Sequence, residues 1–345
     1  MEPDDNHQET PMPFPSQPLH RRQLLAMLGA AGLAGATGVR AEDTWPSRPI
    51  RMIVPSGAGS GADLLCRLFS DALAQAVKQP VVVDNKPGAN GVLAAEQLVR
   101  AAPDGYTLAW LSSSSTVINQ AVQPNLSFDV VRDTVPIVQV GVGGIALVAT
   151  PDFPARNLQE FIAAVKARPP GALNYASWGV GSTGHLVMEW VKAKAGLDLR
   201  HVPYKTMPQI YQDMQGGNIQ IAWVDVSSLV PLVKSGKLRC LALSGTQRSP
   251  QMSEVQTLTQ QGYRFDADAW YGVFASRGAP AAVVETVNRH VRAALLAPEL
   301  KDRRMALNLD DNTPQRSPEE FGRLVREDLR LWQGIARDAG IKLDA

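Results

Sequence analysis

Short runs of Ile, Val, Leu and Ala alternate along this chain with longer stretches whose apolar positions recur every three to four residues, a pattern that predicts strands alternating with helices. The first pair is a strand at Ile50–Val54 and a helix at 62–77, where Leu65, Leu68, Phe69, Ala72, Leu73 and Ala76 share a face. Pro80 ends that helix, Val81, Val82 and Val83 make a second strand, and a turn-rich loop at 84–91 leads to a helix at 92–101 and a strand at 106–111. A second alternating unit follows the strand Ile145–Ala149. Its first helix opens at Asn157, where Asn-Leu-Gln-Glu has capping-box spacing, and further helices are predicted at 185–195, 207–215 and 229–234, with strands at 219–224 and 238–243. A strand at 270–275 and amphipathic helices at 281–296 and 318–338 close the chain, the last opened by Ser317-Pro318-Glu319-Glu320, a capping box with proline at the first helical position. The class is α/β, with a parallel or mostly parallel sheet covered on both faces.

Each unit carries a glycine-rich loop running into a helix. In the first, Ser56, Gly57, Ala58, Gly59, Ser60 and Gly61 precede the helix that holds Asp63; in the second, Ser177, Trp178, Gly181, Ser182 and Thr183 precede His185. A bare backbone at a helix start presents unpaired N–H groups and the positive end of the helix dipole, which attract carboxylates and phosphates. Two such loops suggest a cleft between two domains. Ser112, Ser113 and Ser114 begin a hydroxyl run that continues to Thr116 at the end of a strand, where ligands of open α/β sheets gather; the run is equally compatible with a solvated loop. Asp63 has a second explanation in the helix dipole, and Trp178 and Trp223 could line a pocket or pack in a core.

The 345 residues, 45% hydrophobic and 19% charged with a formal net charge of +1, suit two domains with sizeable cores and give no support for nucleic-acid binding. Residues 1–41 read as a cleaved export signal: Arg21-Arg22, an apolar Leu, Ala and Gly run too short for a transmembrane anchor, then Val39-Arg40-Ala41. Arg21-Arg22-Gln23-Leu24-Leu25 resembles the twin-arginine motif, with His20 where Ser or Thr is usual, so either export route stays open. Cys66 and Cys240 could pair in an oxidising compartment, although Cys66 falls in an apolar helical pattern that suits a buried, inert thiol.

No metal motif, serine-hydrolase elbow or Walker lysine is present, and no cofactor is expected. Gly57-x-Gly59-x-x-Ala62 after a strand, trailed by Asp84 about 22 residues on, does fit a dinucleotide fingerprint, against which stand Pro55 at the junction and the export signal. An exported NAD-binding oxidoreductase is therefore kept as an alternative.

The ordered segments Trp45-Pro46-Ser47-Arg48-Pro49-Ile50-Arg51, Val81-Val82-Val83-Asp84-Asn85-Lys86-Pro87-Gly88-Ala89-Asn90-Gly91, Ala102-Pro103-Asp104-Gly105-Tyr106-Thr107-Leu108, Leu173-Asn174-Tyr175-Ala176-Ser177, His201-Val202-Pro203-Tyr204-Lys205 and Ser235-Gly236-Lys237-Leu238-Arg239 resemble the Bug, or TctC, family of periplasmic solute-binding proteins of tripartite tricarboxylate transporters. The resemblance covers 45–345. It implies a type II-like Venus-flytrap architecture, with 45–143 plus 268–345 as one domain and 144–267 as the other. It also implies a protein that is not an enzyme, binds a small carboxylate between its domains, and delivers it from the periplasm to membrane permease subunits; a sensor that binds ligand without transport remains the other option. By position the resemblance assigns the carboxylate hold to 56–63, 112–116, 177–183 and the strand end at 224–227. Departures from the family pattern fall at Ser56, Ala58 and Ser60 in the first loop, at Trp178 and Thr206, and at Trp223-Val224-Asp225, where valine holds a position usually occupied by aspartate. With two tryptophans near the cleft and no cation beside Asp225, the expected ligand is one carboxylate on an apolar or aromatic body.

Overall fold

Two five-stranded sheets organise the computed structural model, which describes residues 45–341 apart from 124, 308 and 310–312. The export signal predicted at 1–41 lies outside the described residues. The first sheet has the order β2-β1-β3-β10-β4, from β1 (Ile50–Val54), β2 (Val81–Asn85), β3 (Thr107–Ser112), β4 (Thr134–Gly143) and β10 (Ala269–Ser276). The second has the order β7-β6-β8-β5-β9, from β5 (Ile145–Ala149), β6 (Asn174–Ser177), β7 (Arg200–Pro203), β8 (Ile221–Asp225) and β9 (Arg239–Leu243). The chain passes from the first sheet to the second between β4 and β5 and returns between β9 and β10.

The sheets are mixed rather than mostly parallel. β1 pairs in parallel with β2 and β3, while β10 runs antiparallel to β3 and β4 because it enters from the other sheet. In the second sheet β5 is antiparallel to β8 and β9. The strands β4 and β7 are absent from the sequence pattern because Pro136, Gly141 and Pro203 read as loop. Both lie at sheet edges, where a missing N–H is tolerated.

The helices that matter to the cleft are α1 (Gly61–Val77), α2 (Val92–Val99), α3 (Leu158–Lys166), α4 (Thr183–Ala195), α5 (Met207–Gln215), α6 (Val226–Lys234), α7 (Ala281–Leu296) and α8 (Pro318–Asp338). Ser317 and Glu320 close the capping box at the start of α8. At α3 the Asn157 side chain accepts from the Glu160 amide, but Glu160 reaches back to the Arg156 amide instead of that of Asn157. One face of the first sheet buries Ile50, Met52 and Val54 with Leu65 and Phe69 of α1 and Val283 and Val287 of α7; each such side chain contributes about 1.5–3 kcal/mol. The other face shares a core with the second sheet through α8 and α4, where Phe265 meets Trp190 and Trp332 edge-on. Cys66 and Cys240 are unpaired and buried, and burial pushes both thiols up to about 12, so no disulfide links the sheets.

Candidate functional site

The first glycine loop is fixed by the residue that follows it. Ser60 caps α1, and the Asp63 carboxylate, 1% exposed, accepts from the Gly59 amide at 2.9 Å, Arg67 Nε at 3.0 Å and Asn85 Nδ2 at 2.8 Å. Asn85 Nδ2 also donates to the Ser56 carbonyl at 2.8 Å. Burial pushes the Asp63 carboxyl up, but these donors outweigh it and hold the group below its ordinary value. Asp63 is thus a fastener of the loop rather than a group facing the cleft. Asp84, the acid of the dinucleotide fingerprint, is taken by Arg51 Nε at 2.9 Å and Lys86 Nζ at 3.2 Å.

The second loop has a similar plan. Ser182 caps α4, and Ser177 Oγ lies 2.7 Å from His201 Nε2 and 3.0 Å from Ser182 Oγ. His201 stacks on His185 at 4.2 Å; burial, the neighbouring His185 and Lys192 push it down to about 3, so both rings stay neutral. Ser177 is fully buried and does not reach the cleft, so the serine–histidine contact is part of the framework.

The serine run is neither a loop nor solvated. Ser114–Ile118 forms a single π-helical turn, and Ser113, Ser114, Ser115 and Thr116 are buried. Ser114 Oγ accepts from the Thr183 amide at 3.0 Å and donates to Asn90 Oδ1 at 3.1 Å, while Asn90 Nδ2 donates to the Gly181 carbonyl at 3.0 Å. These bonds join the second glycine loop to the turn after β3 and the loop after β2 on the first sheet.

A cavity of about 470 Å³ lies between the sheets, within the range of small-molecule sites. Of the residues expected there, Ser56, Gly57, Ser60, Ser112, Ser113, Ser114, Trp178, Thr183 and Asp225 line it. Ala58, Gly59, Gly61, Asp63, Ser177, Gly181, Ser182, Trp223 and Val224 do not. Trp223 and Val224 are corrections with one cause: alternating positions of β8 point to opposite faces of the second sheet, so each side chain enters a different core and only Asp225, at the strand end, reaches the cleft. Asp225 caps α6 and accepts from Ser227 Oγ at 2.6 Å, Ser228 N at 2.9 Å and Ser228 Oγ at 3.0 Å.

Sequence reasoning missed Asn90, Gly91, Trp110, Val142, Tyr204, Lys205, Trp270, Tyr271 and Leu309 as wall residues. The Asn-Gly turn after β2 was a usable signal for the first two; Trp110 and Trp270 sit in apolar strand runs that look like core. On this wall Ser56 Oγ, Ser113 Oγ and Trp110 Nε1 are buried without a hydrogen-bond partner among the described residues. Tyr271 is pushed up by burial and by the Asp225 carboxylate, which keeps its phenol a neutral donor.

Trp270 is anchored through its indole N–H to the Asp328 carboxylate of α8. Burial raises Asp328 to about 6, the Trp270 bond opposes this, and Asp268 reinforces it. A carboxyl whose folded pKa exceeds its unfolded value contributes stability that is complete at low pH and lost as pH rises through the folded value. Asp328→Asn keeps an acceptor for Trp270 and removes the buried charge, so it should stabilise the protein by about 1–2 kcal/mol at pH 8 and by almost nothing at pH 4. Urea unfolding at the two pH values checks this; an equal gain at both would show that charge is not the cause.

Comparison with known proteins agrees with this architecture. The family model described as "Tripartite tricarboxylate transporter family receptor" matches residues 65–341. Protein BugT of Bordetella pertussis is 31% identical, over 94% of this chain and 100% of BugT. Among solved structures, MatC from Rhodopseudomonas palustris with bound malate is 28% identical at a TM-score of 0.79, covering 84% of this chain and 99% of MatC. Another R. palustris protein, solved with adipate, is 27% identical at a TM-score of 0.80, covering 86% of this chain and 99% of that protein. With both the family model and a full-length relative spanning most of its length, the chain belongs to the tripartite tricarboxylate transporter receptor family.

Proposed function

We propose that this chain is the periplasmic receptor of a tripartite tricarboxylate transporter, that its lobes are 45–143 with 268–345 and 144–267, and that it captures a small carboxylic acid between them for delivery to membrane permease subunits. The observation that carries this is the convergence of helix starts: Ser60 and Ala62 of α1, Thr183 of α4, and Val226 and Ser227 of α6 all face one cavity. The dipoles of these helices and the free amides at the start of α1 provide a positive field, which holds a carboxylate and needs no chemistry; the Thr183 amide itself is taken by Ser114 Oγ. Malate and adipate in the two R. palustris relatives support the ligand class. No helix among the described residues is long and apolar enough to cross a membrane. Binding without turnover accords with Ser177 and His201 facing each other away from the cavity.

Calorimetry against mono-, di- and tricarboxylates, with the bound acid recovered and weighed by mass spectrometry, tests the proposal. One acid should bind far more tightly than the rest and be recovered unchanged. Recovery of a converted product, or binding of nicotinamide cofactor instead of any acid, would reject the receptor function.

A further inference from the structure

We propose, resting on the receptor function above, that the acid this cleft selects is an aromatic monocarboxylate and that Trp178 is the side chain that selects it. The charge of the walls comes first. Among the described residues, Lys205 and Asp225 are the charged side chains on the cavity; Lys205 is exposed, and Asp225 is already saturated by Ser227 and Ser228 as the cap of α6. Ser56 and Ser113 stand at the carboxyl ends of the adjacent parallel strands β1 and β3, with buried hydroxyls that lack a partner. Together with the free amides at the start of α1 they satisfy one carboxylate, which accepts about four hydrogen bonds. A second carboxylate would be buried against the like charge of Asp225, and the cation on the described wall, Lys205, is exposed, so solvent screening leaves that pair too weak to offset the burial.

The rest of the wall is flat and apolar. Trp110 and Tyr271 face the cavity from the first sheet, Trp178 and Tyr204 from the second. Trp110 is held rigid between Phe69 and Tyr271, each with ring centres at 5.9 Å. Trp178 rests on Gly184, where a Cβ would come within 2.8 Å of the indole, so this glycine is what lets the ring lie against α4. Rigid rings contributed from both sides of a cavity suit a planar hydrophobic body, which they contact with little loss of side-chain freedom.

The test is calorimetry of the folded protein with benzoate, phenylacetate, adipate, malate and citrate. Benzoate or phenylacetate should bind at least about tenfold more tightly than the di- and tricarboxylates, Trp178→Ala should weaken that acid by about tenfold or more, and Trp178→Phe by less than about threefold. Melting temperature, followed in parallel, separates lost contact from lost fold. If malate, adipate or citrate binds tightest, or if Trp178→Ala leaves the aromatic acid unaffected, the selection is wrong although the receptor function stands. If none of the acids binds, both fail.

Discussion

Gly61→Val should weaken acid binding by about 100-fold or more, near 3 kcal/mol, while leaving the melting temperature almost unchanged. Gly61 is the first residue of α1, and a Cβ placed there would meet Ser227 Oγ at 2.1 Å and Asp225 Oδ1 at 2.7 Å, both at the start of α6 on the other sheet. Ser227 Oγ can turn away from an added methyl, but its Cβ, at 3.0 Å from the added carbon, stays in place, so Gly61→Ala should already weaken binding, though less than valine. Asp225 cannot turn away, because Ser227 Oγ, Ser228 N and Ser228 Oγ hold its carboxylate in place. A branched side chain at position 61 fits only if the two helix starts separate, and separation opens the Ser114–Thr183 and Asn90–Gly181 bonds at the far side of the same cleft. Gly61 belongs to none of the three hydrophobic cores, so the loss of stability should be small beside the loss of affinity. Calorimetry with the tightest acid and a thermal melt together decide the matter. Unchanged affinity would mean that the two helix starts need not meet for the ligand to be held.

The features legible in the sequence are those with local causes. The spans Ala281–Leu296 and Pro318–Asp338 follow from a 3.6-residue apolar period and a capping box, and the helices expected from 62 and 185 begin one and two residues earlier, capped by Ser60 and Ser182. What the sequence conceals depends on partners far away along the chain. β4 holds Pro136 and two glycines, and becomes a strand only because β10, more than a hundred residues later, pairs with it across Ala269–Ser276. The walls of the cleft were hidden for a related reason: an apolar strand residue can face a core or a cavity, and only the position of the opposite sheet decides which. Trp110 and Trp270 belong to the cores and also border the cavity, whereas Trp223, next to the strand end at Asp225, is enclosed by core alone. The serines after β3 leave a ligand wall and a solvated loop equally open in the sequence, and only contacts distant along the chain decide, since their hydroxyls bond within the turn and across to Thr183.

Asp63→Ala should cost about 3 kcal/mol of stability, lowering the melting temperature by roughly 6–10 °C, and should weaken acid binding as a consequence. The carboxylate joins three parts of the first glycine loop: it takes the Gly59 amide, Arg67 of its own helix, and Asn85 at the end of β2. Removing it leaves the Gly59 amide and Asn85 Nδ2 short of an acceptor, and it frees a loop whose Gly59 sits at φ +79°. Asparagine should fare little better. If its oxygen serves Gly59 and Arg67, its amide faces Asn85 Nδ2, donor against donor; flipping Asn85 moves the conflict to the Ser56 carbonyl, which Asn85 Nδ2 now serves at 2.8 Å. The pH dependence has a definite sign. The folded pKa of Asp63 is lowered, so its contribution is complete above the ordinary carboxylate value of about 3.9 and is lost as pH falls through the lower folded value. The gap in stability between the natural protein and Asp63→Ala should therefore be constant from about pH 5 to 8 and narrow below about pH 4. Denaturant melts across that range measure it, and a gap that widens in acid would show that Asp63 is held protonated, contrary to its hydrogen bonds with Arg67 and the Gly59 amide.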